Sequence, residues 1–235
     1  MTILEKILNS WHDGFYSEPF MIIAEAIALI ICTIKRRKEK IGRILLLYIG
    51  FDFSLLILDE YLKYFSNYQR NKIIGFIDFT NELISIVELM VYYYYFLQIL
   101  QNHLAKLLIR ILRILFLLIS TFFIAQYYTN FLLKSSIFSY YFAIIEFIFL
   151  LSPCLIYYYE LFSIDPIYKL FERPSFWITT GIMFYSFASI PFYSTVNFFR
   201  SNLELKHMYV FFYLPFAINF LFLTKGFLCK NKLTI

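Results

Sequence analysis

The chain has 235 residues, is 61% hydrophobic and carries a net charge of +5. A water-soluble domain is about 45–50% apolar, so the composition excludes an ordinary soluble domain and points to one domain lying almost wholly in a bilayer. Its positive residues fall between apolar runs, which argues for membrane lipid as a partner and against nucleic acid.

Residues 1–16 place Ile3, Leu4, Ile7, Leu8 and Trp11 at helical spacing, the pattern of a short interfacial helix. They show no signal-peptide pattern, so the first span is expected to be retained. A spanning helix needs roughly 20 apolar residues, which leaves room for about seven. The first span is expected at about 17–34, ending at the basic run Lys35, Arg36, Arg37, Lys38 and Lys40. The second is expected at about 41–63, followed by a polar loop from Ser66 to Lys72. The third runs over about 73–100 and is long enough to tilt. Residues 101–113, with Lys106, Arg110 and Arg113, read as a basic connection into a fourth span at about 111–130. The fifth covers about 137–161. Asp165 and Pro166 then form an N-cap and first-turn pair that predicts a short helix over 166–173. The sixth span covers about 175–198 and the seventh about 207–224.

The fold expected is therefore all-α, a polytopic bundle of seven transmembrane helices. The basic run and the loops on its side collect about 14 of the positive residues, against about 7 on the other side. That bias predicts N-terminus out and C-terminus in. Cys32, Cys154 and Cys229 lack metal spacing and are expected as free thiols. The many tyrosines suit membrane interfaces or polar bundle interiors, and base composition accounts for such an excess equally well.

Charged residues inside a span are costly in lipid and usually face the bundle. Asp78, Asn81, Glu82, Ser85, Glu88 and Tyr92 fall on one arc of the third span, giving it a polar stripe. Glu25, Asp52, Glu82 and Glu146 lie at depths of roughly 12–16 Å from the outer ends of four spans. Four helices are thus expected to converge on an acidic layer, with Glu82 as its best-supported member. No Lys or Arg lies at that depth. The layer reads first as polar packing between helices, then as a ligand or cation site, then as a proton relay. Gly181, Ala188 and Thr195 recur every seven residues and predict a small-residue packing seam on the sixth span. Pro153, Pro191 and Pro215 fall inside spans five to seven.

Enzyme and cofactor signatures are not found: there is no phosphate loop, HExxH or GxSxG, and His12, His103 and His207 sit at separate span ends. Neither catalytic residues, a metal nor a cofactor is expected.

Pro174, Ser175, Phe176 and Trp177, followed by Gly181, Tyr185 and Pro191, resemble a pattern of small bacterial seven-span proteins similar to the membrane sensor part of histidine kinases. The resemblance implies a multi-pass protein of the bacterial plasma (inner) membrane. It also implies a histidine kinase, or another membrane or cytoplasmic protein, as partner at the inner face. The function expected is that of a non-enzymatic sensor or accessory subunit in signal transduction. The alternative is a small cation- or proton-coupled transporter or channel. In either case Glu25, Asp52, Asp78, Glu82, Glu88 and Glu146 are the candidate ligand- or cation-binding residues.

Overall fold

A computed structural model describes the backbone of residues 17–65, 70–129, 137–164, 167–200 and 210–230. Side chains are described for 20–58, 83–125, 141–163, 170–195 and 213–230. The expected interfacial helix at 1–16, Asp165 and Pro166, and the loops at 66–69, 130–136 and 201–209 lie outside the described residues.

The described chain is all-helical. Its seven α-helices are α1 (Ser17–Lys35), α2 (Lys40–Phe65), α3 (Arg70–Ile99), α4 (His103–Thr129), α5 (Ile137–Ile164), α6 (Pro174–Arg200) and α7 (Val210–Leu228). A 3-10 helix, Ile167–Glu172, joins α5 to α6. Three helices contain stretches long and apolar enough to cross a membrane: Lys40–Leu58, His103–Ala125 and Tyr141–Ser163. The described apolar stretches of α3 and α7, Leu83–Ile99 and Tyr213–Leu228, are shorter.

The helices start and stop for local reasons. Pro19 falls in the first turn of α1, where no amide donor is needed. Asn102 caps α4: its Oδ1 accepts from the Leu104 amide at 2.9 Å. Glu160 of α5 supports the same end, accepting from the amides of Gln101 and Asn102 at 2.5 and 3.1 Å. Helix α4 therefore begins at His103, and the expected basic connection over 101–113 is mostly the first part of that helix. Lys106, Arg110 and Arg113 ride on the span.

The packing closes a ring: α1 meets α2, α2 meets α3, α3 meets α5, α5 meets α6, α6 meets α7, and α7 returns to α1. Helix α4 packs against α3 and α5 and shows a largely exposed apolar surface. Because α1 and α7 are neighbours, the ends of the basic run and the end of α7 meet. Arg36 is buried there, with Nε donating to Phe227 O at 3.0 Å and Nη2 donating to Cys229 O. Its Nη1 bonds Glu39 at 2.6 Å. The guanidinium thus satisfies carbonyls at the end of α7 that have no partner within the helix.

Small residues set the tightest contacts. Ala24, Ala28 and Cys32 line the buried face of α1, and the Cys32 thiol lies 3.5 Å from Gly42 O of α2. A Cβ placed on Gly181 of α6 would lie 2.7 Å from Phe222 Cβ and 2.8 Å from Asn219 Oδ1 of α7. Gly226 of α7 returns the contact, 2.7 Å from Ile178 Cγ1 of α6. The expected seam on α6 is only half right: Ala188 is partly buried and Thr195 is exposed, bonded to Pro191 O of its own helix. A seven-residue repeat drifts about 20° per heptad on a straight helix, which carries Thr195 off the packed face.

Tyrosines are core residues here, not only interface residues. Tyr48, Tyr92, Tyr93, Tyr95, Tyr157 and Tyr185 are all buried. Tyr93 has a specific task. Pro153 in α5 has no amide hydrogen, so the carbonyl four residues earlier loses its helical donor. That carbonyl, Phe149 O, accepts from the Tyr93 hydroxyl at 3.1 Å.

Candidate functional site: a buried acidic centre

Four carboxyl side chains from four helices are buried in the bundle: Glu25 on α1 at 0% exposure, Asp52 on α2 at 8%, Glu88 on α3 at 5% and Glu146 on α5 at 4%. The sequence puts each on the core side of its helix. Glu25 follows Ala24 and precedes Ala28 on the α1 packing face. Asp52 follows Tyr48 and Ile49, and Glu88 adjoins Leu89 and Tyr92, all core residues.

The four meet. Glu25 and Asp52 adjoin one another across the α1–α2 contact. Glu88 lies within electrostatic reach of Glu146, Asp52 and Glu25, and the Tyr48 hydroxyl is its hydrogen-bonding neighbour. Ser85, one turn from Glu88 on α3, neighbours Glu146. Tyr185 of α6 borders Glu88, Glu146 and Asp52. Tyr92 lies beside both Glu88 and Asn219 of α7. Its ring meets that of Tyr48 edge-on, with centroids 5.7 Å apart. Phe147 and Phe216 close over Tyr185, at 5.1 and 5.3 Å between centroids.

The hydrogen bonding of this centre is incomplete. Both carboxyl oxygens of Glu25, Asp52 Oδ2, Glu88 Oε1, the Tyr92 hydroxyl and Asn219 Oδ1 are buried without a hydrogen-bond partner. Leaving one such group unsatisfied costs about 1–3 kcal/mol, and more when it is charged. The Arg36–Glu39 ion pair lies at the end of the bundle and not here. Four carboxyl groups, three tyrosine hydroxyls and an amide thus share a buried centre, with no Lys or Arg beside them among the described residues.

Of the six carboxyl residues expected from sequence, the structure brings Glu25, Asp52, Glu88 and Glu146 together. Asp78 and Glu82 lie outside the residues whose side chains are described. Glu88, about 9 Å further along α3 than Glu82, is the α3 carboxyl found buried among the described residues. Among the described residues no group of three or more His, Cys, Asp or Glu side chains is arranged to hold a metal ion. Tyr48, Tyr92, Tyr185, Ser85 and Asn219 belong to the centre as much as the carboxyl groups do. Their signal was the helical spacing of Tyr48 with Asp52 and of Ser85, Glu88 and Tyr92.

The α3 stripe continues past the centre. Tyr95 follows Tyr92 on the same face, and its hydroxyl donates to Ser175 O at 3.3 Å where α6 begins. Tyr157 donates to Ser175 Oγ at 2.9 Å beside it. Ser85, Glu88, Tyr92 and Tyr95 therefore form a row from the acidic centre to the end where the basic run lies. The three cysteines are all free, with Cys32 and Cys154 buried.

No protein-family model, curated protein or solved structure matches this chain.

Proposed function

We propose that the protein is a seven-span membrane protein, N-terminus out and C-terminus in, that senses a proton or a small monovalent cation at its acidic centre. It has no chemistry of its own. It works as a sensor or accessory subunit in a bacterial inner membrane, passing its state to a separate partner at the basic face, such as a histidine kinase. The observation that carries this reading is the convergence of Glu25, Asp52, Glu88 and Glu146 with no Lys or Arg among them. An unpaired buried charge costs several kcal/mol, so each carboxylate in the centre needs a positive charge from outside the protein. Occupancy of the centre then alters how α1, α2, α3 and α5 press together, and those helices end at the basic face. The sensor resemblance of Pro174–Trp177, Gly181, Tyr185 and Pro191 points the same way.

One observation favours a second reading, cation- or proton-coupled transport. The row Ser85, Glu88, Tyr92, Tyr95 extends from the centre to the basic end of α3, as a relay across the inner half would.

The two are separated with purified protein in liposomes that hold a pH-sensitive dye. The sensor reading expects no proton or sodium flux under an imposed potential. It expects amide exchange in the loops at 36–39 and 167–173 to change when outer pH falls or outer sodium rises, and expects Glu88→Gln to abolish the change. A flux lost in Glu88→Gln overturns the sensor in favour of transport. Neither flux nor loop response overturns both and leaves the centre as interhelical packing.

A further inference from the structure

We propose that Lys106, Arg110 and Arg113 on α4 form a binding site for the phosphate headgroup of an anionic phospholipid at the basic face of the bundle. The three lie within an arc of about 60° on one side of the helix. Helix α4 has 27 residues, or about 40 Å, against a hydrocarbon core of about 30 Å. The cations set this excess at the basic end, with the first two turns in the headgroup layer. Lys106 sits in that layer, Arg110 at its boundary, and Arg113 about 5 Å deeper, where a long side chain reaches back to phosphate level. The end in question is the one shared with Arg36 and the end of α7, because α3, which leads into α4, ends beside the start of α6.

Nothing in the described protein neutralises the row. None of the three makes an ion pair or hydrogen bond through its side chain among the described residues. Glu160, about one turn away, has one carboxyl oxygen turned onto the Gln101 and Asn102 amides. Lys106 and Arg113 are half-buried, while Arg110 is exposed. Beside them Leu107, Ile111 and Ile114 are exposed and continue as an apolar strip toward the middle of the helix. Cations at headgroup level above exposed aliphatic side chains match both ends of a phospholipid: guanidinium groups for the phosphate oxygens and the strip for an acyl chain.

The test is native mass spectrometry of the full chain in detergent, with phosphatidylglycerol, phosphatidylcholine or inorganic phosphate added. At about fivefold per cation near a charged surface, three cations give on the order of 100-fold preference for phosphatidylglycerol at low salt. The triple change Lys106→Gln, Arg110→Gln, Arg113→Gln is expected to remove most of that preference. Arg37→Gln with Lys38→Gln, two exposed cations of the other basic loop, is expected to keep it. If the triple variant fails to fold, Arg110→Gln alone, at the exposed position, is expected to lower the preference about fivefold. Unchanged preference in the folded triple variant or in Arg110→Gln overturns the site. So does an equal loss in the Arg37/Lys38 control. Equal retention of inorganic phosphate assigns the row to a free anion and overturns the lipid.

Discussion

A tyrosine hydroxyl in a membrane helix is costly unless it finds an acceptor, and Tyr93 finds one created by a proline. Pro153 leaves Phe149 O without its helical donor, and Tyr93 supplies one at 3.1 Å. Replacing Tyr93 with Phe keeps the ring and removes only that bond. The expected loss is about 1 kcal/mol, read as a lower unfolding midpoint in detergent. The companion change Pro153→Ala restores an amide donor for the same carbonyl. In that background Tyr93→Phe is expected to cost nearly nothing, and a full cost there would show that the hydroxyl acts elsewhere. Arg36 illustrates the opposite surprise. In sequence it is one of five cations in a topological signal, and in the fold it is the cap of the last helix.

At the scale of elements, the contact between α6 and α7 depends on two glycines facing opposite ways. Gly181→Leu forces a side chain into Phe222 and Asn219, which lie 2.7 and 2.8 Å from a Cβ at that position. Overpacking of this kind typically costs about 1–3 kcal/mol. Gly181→Leu is therefore expected to lower the thermal midpoint in detergent, and to disturb Asn219 beside Tyr92 at the acidic centre. Thr195→Leu, on the exposed part of the same helix, is expected to be close to neutral. Equal loss from both changes would show that the α6 surface is not divided as described. The 3-10 helix between α5 and α6 is likewise held to its own bundle. Phe171 O accepts from Trp177 Nε1 at 2.8 Å, and Lys225 lies 5.6 Å from the centre of the Trp177 ring. It is a packed connector that leaves Phe171 on the surface.

For the whole molecule, the native cysteines supply a topology test. Cys32 and Cys154 are buried, so Cys229 is the accessible thiol of the three. Burial lifts the Cys229 thiol above its ordinary value, against the pull of Lys225 and Arg36 toward the thiolate. The thiolate is the reacting form. A raised value means less thiolate than a free cysteine has at neutral pH, so labelling is expected to be slow there and to quicken as pH rises. With the C-terminus in, an impermeant maleimide leaves Cys229 untouched in intact cells and labels it after permeabilisation. Labelling of intact cells would reverse the orientation and place the basic run outside.

Much of this architecture is legible in the residues alone. Runs of apolar side chains broken by polar loops determine where helices lie, because a bilayer demands satisfied backbone over a set length. The observed helices agree with the expected ones to within a few residues, apart from the basic first two turns of α4. The stripe on α3 is also local information, since Ser85, Glu88 and Tyr92 share a face at helical spacing. The sequence likewise marks Glu25, Asp52 and Glu146 as residues that lipid would penalise. What it does not hold is the order and rotation of the helices. In a membrane chain both the lipid-facing and the core-facing sides are apolar, so periodicity does not say which side is inward. Only the tertiary structure decides that α1 packs against α7, that Gly181 and Gly226 rather than Thr195 make a close seam, and that Arg36 reaches Phe227 O across 191 positions of chain. It alone brings Tyr48, Tyr185 and Asn219 to the carboxyl groups and makes Glu88 their meeting point. A site built from six helices is a property of their arrangement, which no single stretch of residues specifies.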